Sequence, residues 1–350
     1  MTAEGWTIIG ATIALVGTFA PVLMGIRRDL TNPPETFPRD RRGPGAGPSV
    51  GSSMRDLSGV HPPVATPFGE DGELALDAFD NNLREWLSHP IAGIVVAGST
   101  GEAPLLDRRE LCALVETTAA RIGDRTLTVG TGAESTREVI SVTREVAELG
   151  ANAVLVRSGS YYLKAMKPDV VRDHFLAVAD ASPVPVVLYH IPQFVPVHLT
   201  PDLVGRLVEH PNIIGIKDSS GDLRNLGQLI EACGRNSQVL VGSGALLYAA
   251  LEAGAVGGIL GVAVVATRSC CQIFDAWREG DHRRAGAMQE RVAPLHKRLV
   301  AEGGIASVKA ALDRLGLYGG PPRSPLQPAD DARLAVVDAA LEAAALGVSA

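Results

Sequence analysis

The sequence is short of aromatic residues, of cysteine and of basic charge. Aromatic residues make up only 4% of the 350 residues, yet 46% are hydrophobic, which is enough for one large core or two smaller domains. Lys and Arg total 32 against 39 Asp and Glu, and this acidic balance disfavours a nucleic-acid partner. The four cysteines lack C-x-x-C spacing, which indicates reduced thiols rather than a disulfide framework or a cysteine metal site.

Two motifs of cofactor-dependent proteins are also absent. None of the eight histidines pairs with another at H-x-x-x-H spacing, so no metal site is predicted. No G-x-G-x-x-G follows the first candidate strand, which disfavours a dinucleotide-binding fold. We therefore expect a protein that works without a metal ion or an organic cofactor.

The first 53 residues differ in composition from the rest of the chain. Residues 5–26 carry no charge and precede two arginines. As a helix they would span roughly 33 Å, so they are a candidate transmembrane helix and membrane tether, with the rest of the chain in the cytoplasm. Residues 29–53, rich in Pro, Gly, Ser and Arg, predict a disordered linker. The alternative is that translation starts at Met54 and residues 1–53 are not made.

From residue 54 onward, short apolar runs alternate with longer amphipathic stretches. Uninterrupted apolar strands need both faces covered, which is typical of a parallel sheet. Eight such strands separated by single helices predict an α/β fold, a (β/α)8 TIM barrel over residues 54–280. Helical patterning continues beyond this, which predicts an appended C-terminal helical layer over residues 281–346. The predicted strands are 60–66, 92–98, 126–131, 151–157, 184–190, 212–217, 237–242 and 255–261.

Two predicted strands end in side chains that can do chemistry, and active sites of such barrels lie at the carboxyl ends of the strands. Lys217 ends an apolar run, where poor solvation favours a neutral, nucleophilic amine; the alternative is a lysine that reaches solvent or pairs with Asp218. Tyr189 ends the preceding strand, where a phenol either passes protons to an imine-forming lysine or packs over the barrel mouth. His190 faces the other way, so we expect it to be a packed, hydrogen-bonded histidine.

The segment 97–103 follows the second predicted strand. Glycines, including Gly98, permit a tight turn whose amides point at an anion, and Ser99 and Thr100 add hydroxyl donors. Such a turn suits a carboxylate, although an ordinary loop between strand and helix has the same composition. We expect Glu102 to hold this loop rather than to act as a general base.

These segments resemble the dihydrodipicolinate synthase / N-acetylneuraminate lyase family of class I aldolases. The resemblance covers roughly residues 55–330, in order and at matching spacing. It implies a barrel enzyme whose lysine forms a Schiff base with pyruvate or a larger 2-oxo acid. The stretches that carry it are 59–68, 98–103, 129–140, 161–162, 187–192, 212–222 and 253–261.

The resemblance implies a role for each matching residue. Lys217 matches the imine-forming lysine, and Tyr189 matches the tyrosine that transfers protons at the reacting centre. Ser99 and Thr100 match the pair that binds the 2-oxo acid carboxylate and relays protons. Tyr162 matches a tyrosine that reaches a neighbouring subunit's site, which implies a homo-oligomer, commonly a dimer of dimers. The further residues predicted to bind substrate are Gly98, Ser219, Ser243, Ile259 and Arg157.

Departures from the family pattern bear on the substrate. Phe194 stands where dihydrodipicolinate synthases carry an arginine for the second substrate's carboxylate. The loop 241–247 lacks the Asp-Glu pair of the N-acetylneuraminate lyases. The segments 217–219 and 317–327 are most similar to 4-hydroxy-2-oxoglutarate aldolases. Arg157 is a candidate to supply the missing cation, the alternative being a surface salt bridge.

The sequence therefore predicts a cytoplasmic lyase that makes or breaks a C–C bond next to a pyruvate unit, with an aldehyde as its partner, and that is similar to 4-hydroxy-2-oxoglutarate aldolase. The alternatives within enzymes are a 4-hydroxy-tetrahydrodipicolinate synthase and a 2-keto-3-deoxy sugar acid aldolase or dehydratase. A non-catalytic 2-oxo acid binding protein is disfavoured, because binding alone does not require Lys217, Tyr189 and Ser99 together.

Overall fold

Parallel strands ring the centre of the computed structural model. It describes residues 55–235 and 237–345, and within these ranges the chain forms eight β-strands and eleven α-helices. The predicted membrane segment 5–26 and the linker 29–53 lie outside the described residues. Within the described ranges, no helix is both long enough and apolar enough to cross a membrane. The strands are β1 (Gly59–His61), β2 (Gly93–Val96), β3 (Thr126–Gly130), β4 (Ala153–Val156), β5 (Val186–His190), β6 (Ile213–Asp218), β7 (Gln238–Val241) and β8 (Gly257–Ile259).

The sheet closes on itself. The strands pair in the order β1-β8-β7-β6-β5-β4-β3-β2, and every pairing is parallel. A parallel bridge between Pro63 and Val95 then joins the two ends, with the Val64 N–H donating to the Val95 carbonyl at 3.0 Å. The (β/α)8 barrel is thereby confirmed. The strand predicted over 60–66 already ends at His61, because the two prolines that follow have no N–H for a ladder.

Tight packing at the carboxyl ends fixes the loop that follows β2. A Cβ added to Gly130 would lie 1.9 Å from the carbonyl oxygen of Ala97, so only glycine lets β3 pass this close. Ala97 itself has a positive φ of 53°, which is costly for a residue with a Cβ. The end of β2 is thus held in one conformation by its neighbour.

The helices cover the barrel with amphipathic faces. Side-chain caps start several of them: Asp107 and Glu110 form a reciprocal capping box, and Ser135, Thr200 and Asp222 cap later helices. The helices of the barrel are α1 (Leu76–Leu87), α2 (Arg108–Ala119), α3 (Thr136–Glu148), α4 (Pro168–Ala181), α5 (Pro201–Leu207), α6 (Leu223–Cys233), α7 (Leu247–Ala253) and α8 (Thr267–Arg278).

The chain after the barrel forms the predicted C-terminal helices, which are α9 (His282–Leu295), α10 (Gly304–Arg314) and α11 (Asp331–Ala343). A π-helical segment, His296–Ala301, continues α9 directly. One face of α10 is buried, and this brings Lys309 beneath the loop after β2. The domain boundaries at residues 54, 280 and 346 remain predictions.

Candidate active site

Lys217 and Tyr189 lie side by side at the carboxyl ends of adjacent strands. They are register partners in the pairing of β5 with β6. The Nζ of Lys217 lies 4.1 Å from the centroid of the Tyr189 ring, and the two residues are 4% and 7% exposed. An amine and a phenol are therefore held together at the barrel mouth, largely removed from water.

Lys217 has no carboxylate partner among the described residues: within that part of the chain, no acidic oxygen lies within 4.0 Å of its Nζ. The neighbouring Asp218 is engaged elsewhere. Its Oδ1 accepts a hydrogen bond from Nδ1 of His190 at 2.7 Å, and its Oδ2 accepts one from the Ser220 hydroxyl at 2.7 Å. The Lys217 amine is thus left available to a ligand.

The turn after β2 presents donors towards this pair. The Ser99 hydroxyl lies 3.3 Å from the Tyr189 hydroxyl. The amides of Gly101 and Ala103 both donate to the Gly98 carbonyl, and the amide of Glu102 donates to the Ser99 carbonyl, which closes a compact turn. The amides of Ser99 and Thr100 donate to no other group among the described residues. Two free amides and two hydroxyls suit a carboxylate.

Below this turn lies a buried ion pair. Lys309 donates a hydrogen bond from Nζ to Oε1 of Glu102 at 2.6 Å, and the two side chains are 1% and 0% exposed. The backbone N–H of Arg323 donates to the other Glu102 oxygen at 2.8 Å. These bonds fix Glu102 in a left-handed conformation with φ of 56°. Burial lowers the pKa of Lys309, and the hydrogen bond to Glu102 opposes this shift.

Arg323 ties the same turn to the outside of the barrel. Its guanidinium pairs with Glu110 of the α2 capping box and donates to the carbonyl oxygens of Gly72 and Leu105. The pairing with Arg323 lowers the pKa of Glu110. The C-terminal segment is therefore a structural part of the turn that faces the site.

Other predicted site residues lie around the barrel mouth with partners of their own. Arg157 follows β4, and its Nη1 pairs with Oε1 of Glu134 at 3.1 Å. The Ser243 hydroxyl lies 3.2 Å from Nε2 of His296, whose burial lowers its pKa to about 4. Ile259 is buried at the end of β8. The backbone carbonyl of Ser219, in the loop after β6, accepts a hydrogen bond from the Gln193 side chain.

Tyr162 forms no side-chain hydrogen bond with Ser99, Tyr189 or Lys217 among the described residues. It is 72% exposed, and its ring contacts that of Tyr161 edge-to-face with the centroids 5.0 Å apart. Such large exposed aromatic surface agrees with the prediction that Tyr162 meets another subunit, which remains a prediction.

Sequence reasoning missed Lys309, Arg323 and His296. All three come from the chain after the barrel and reach the mouth only through tertiary packing. The signal for Lys309 was a single lysine in the apolar helical stretch 304–312, an environment where an unpaired ammonium is costly. Among residues 55–235 and 237–345, no group of three His, Cys, Asp or Glu side chains is placed to hold a metal ion.

A closed barrel whose mouth holds a buried lysine beside a phenol, with no acidic partner for the lysine in the part of the chain that the structure describes, is typical of the class I aldolases. The chain matches the dihydrodipicolinate synthetase family over residues 56–344 and belongs to that family. It is an enzyme of the lyase type.

Relatives and solved structures agree with this membership. The chain is 36% identical to the 4-hydroxy-tetrahydrodipicolinate synthase of Methanothrix thermoacetophila over 274 residues, covering 78% of this chain and 92% of that protein. It is also 36% identical to the synthase of Ruegeria pomeroyi over 292 residues, 83% and 99% of the two chains. The structure of the dihydrodipicolinate synthase from Acinetobacter baumannii complexed with pyruvate aligns with a TM-score of 0.79 and 29% identity, covering 83% of this chain and all of that one.

Proposed function

We propose that the protein condenses pyruvate with an aldehyde, or catalyses the reverse cleavage, through an imine on Lys217. The observation that carries the proposal is the buried Lys217 amine, which has no acidic partner among the described residues and lies beside Tyr189, whose hydroxyl is 3.3 Å from that of Ser99. The pyruvate in the structure of the Acinetobacter baumannii relative supports the choice of 2-oxo acid.

The residues divide the chemistry between them. The carboxylate of the 2-oxo acid binds the amides and hydroxyls of Ser99 and Thr100. Neutral Lys217 attacks the ketone carbon, and loss of water leaves an iminium that acts as an electron sink. Tyr189, with Ser99 as its hydrogen-bond partner, moves the protons of the carbinolamine and of the hydroxyl at the bond that forms or breaks. Loss of a C3 proton gives the enamine nucleophile, and water finally releases the product from Lys217.

The names of the relatives favour one finer activity. They are 4-hydroxy-tetrahydrodipicolinate synthases, which supports the synthase among the sequence-based alternatives over the 4-hydroxy-2-oxoglutarate aldolase reading. A panel of pyruvate with aspartate semialdehyde, 4-hydroxy-2-oxoglutarate and a 2-keto-3-deoxy sugar acid separates these activities by their products.

Borohydride reduction in the presence of pyruvate tests the imine itself. We expect an irreversible adduct on the peptide that contains Lys217, located by mass spectrometry, and loss of turnover in proportion to its formation. A Lys309→Arg variant is the matched control, because it leaves Lys217 as the one buried lysine of the described residues. Absence of the adduct from wild-type enzyme would reject the proposal.

A further inference from the structure

Two neighbouring cavities lie at the barrel mouth beside Tyr189 and Ser99. An inner chamber of about 40 Å³ is lined by Tyr189 and Ser99. It continues into an outer cavity of about 420 Å³, and Ser99 and Arg157 line both spaces. The outer volume lies in the range of small-molecule sites. A molecule in the outer cavity therefore lies next to the chamber that Tyr189 lines, and the Lys217 amine lies 4.1 Å from the centroid of the Tyr189 ring.

The wall of the outer cavity is mainly apolar. Phe194 and Leu326 are 69% and 40% exposed, so the wall offers apolar surface to a ligand. Covering such surface with an apolar group is favourable, at roughly 25 cal/mol per Å² removed from water. The apolar side chains that form the wall are Leu105, Ile191, Phe194, Val195, Ile305 and Leu326.

The charged residues of this wall already have partners. Glu102 accepts hydrogen bonds from Lys309 and from the backbone of Arg323. Arg157 pairs with Glu134, which also accepts the backbone N–H of Tyr161 at 2.9 Å. A ligand carboxylate would compete with Glu134 for Arg157 and would lie against apolar side chains. An anionic group is thus disfavoured where an apolar one is favoured.

We infer that the outer cavity binds the body of the aldehyde substrate and that this body is apolar, with a neutral aromatic ring as the preferred class. The inference rests on the proposed imine chemistry at Lys217, and it departs from the synthase activity that the names of the relatives favour. The enamine carbon of the Lys217-bound pyruvate bonds to the aldehyde carbon, and the aldehyde oxygen takes a proton to become a hydroxyl. Hydrolysis of the iminium frees Lys217 and yields a 4-hydroxy-2-oxo acid with the ring on C4. The reverse reaction returns pyruvate and the aromatic aldehyde.

A matched pair of aldehydes tests the inference. Benzaldehyde and 4-carboxybenzaldehyde have the same ring and differ by one carboxylate. With pyruvate as co-substrate, we expect kcat/KM for benzaldehyde to be at least about tenfold higher, measured as product formation by chromatography. Aspartate semialdehyde is a third arm, and we expect it to react less efficiently than benzaldehyde.

Two substitutions should change this preference in the same direction. Phe194→Arg places a free cation in the wall, and Glu134→Gln releases Arg157 while keeping an oxygen that accepts hydrogen bonds. Each should lower the ratio of benzaldehyde to 4-carboxybenzaldehyde efficiency, by about tenfold for Phe194→Arg. Leu223→Arg is the control, because Leu223 is also an exposed apolar residue but lies outside this cavity, and it should leave the ratio unchanged.

The outcomes separate the two proposals. If pyruvate is trapped on Lys217 and 4-carboxybenzaldehyde or aspartate semialdehyde reacts as well as benzaldehyde, the apolar preference is wrong and the proposed function stands. If pyruvate is trapped but no aromatic aldehyde reacts, the preference is likewise wrong. If pyruvate is not trapped, the proposed function fails and the inference fails with it.

Discussion

Lys217 and Lys309 are both buried near the barrel mouth, yet their surroundings differ. Lys309 is 1% exposed, bonds to Glu102 and lies 4.6 Å above the Phe68 ring. Lys217 is 4% exposed, and its amine lies against the Tyr189 ring, with no carboxylate partner among the described residues. The Lys309 amine thus has a carboxylate partner, and the Lys217 amine has none in the part of the chain that the structure describes.

The difference between the two lysines supports Lys217, rather than Lys309, as the proposed nucleophile. A buried ion pair adds little net stability, but removing one member is costly because the other charge stays buried. An unpaired buried amine costs folding energy and gains nothing structural in return. Lys309 is accordingly a structural residue that holds the turn, whereas Lys217 has an environment that function explains.

The largest effect should come from replacing the unpaired lysine. Lys217→Met removes the only proposed nucleophile, so we expect turnover to fall on the order of a thousandfold or more. Thermal stability should stay the same or rise, since no ion pair is lost. Turnover and the melting midpoint are measured on the same preparation. A Lys217→Met enzyme that retains a tenth of wild-type turnover would show that catalysis uses another group.

Tyr189→Phe should give the next largest effect. The ring remains beside Lys217 but the hydroxyl that contacts Ser99 is lost, so we expect kcat to fall about 100-fold or more. Borohydride should still trap pyruvate on Lys217, but more slowly, because imine formation also needs proton transfer. Ser99→Ala, which keeps the phenol, is the comparison and should lose less activity. Equal rates for wild type and Tyr189→Phe would reduce Tyr189 to a packing role.

Replacing the paired lysine should act mainly on stability. Lys309→Met leaves Glu102 buried without its ammonium partner, and we expect the free energy of unfolding to fall by about 3–5 kcal/mol. Urea denaturation followed by circular dichroism measures the change. The double variant Glu102→Gln/Lys309→Met should regain part of the loss, because no charge remains buried. If the double variant is as unstable as the sum of the two single variants, the two residues are not coupled.

Much of the barrel could be predicted from the sequence because its strands are short, uninterrupted apolar runs that alternate regularly with amphipathic stretches. The same regularity placed Tyr189 and Lys217 one strand apart at the same level, where the structure pairs them. The end of the first strand was predicted less well. Pro62 and Pro63 have no N–H to donate and so end the hydrogen bonding of β1 at His61. The prediction followed the apolar run alone and therefore placed the end of the strand too late.

The side chains that hold the site residues in place could not be predicted in the same way. Glu102 was expected to hold its loop, but its partners Lys309 and Arg323 lie more than 200 residues further along the chain. Local periodicity carries no information about which distant side chains meet. The pairing of Arg157 with Glu134 is similar, since the candidate cation at the end of β4 meets a carboxylate in a separate loop.

His296 extends the comparison to a buried base that titrates in an accessible range. It is 9% exposed, and its ring bonds to Ser243, with no carboxylate partner among the described residues. Burial lowers its pKa to about 4 from 6.5. The unfolded chain therefore binds a proton below about pH 6.5, whereas the folded protein does so only near pH 4, and stability falls as the pH is lowered between these values.

For this one histidine, the loss amounts to about 1 kcal/mol at pH 5.5 relative to pH 6.5, because half of the unfolded molecules are already protonated at pH 6.5. Urea denaturation at both pH values should show a smaller decline in His296→Gln than in wild type, because glutamine does not titrate and can still bond to Ser243. Part of the decline that remains in His296→Gln should come from His61, because burial also lowers the pKa of His61 to about 4. Identical declines in the two proteins would mean that His296 is protonated within the fold, and that burial without an acidic partner does not by itself keep a base neutral here.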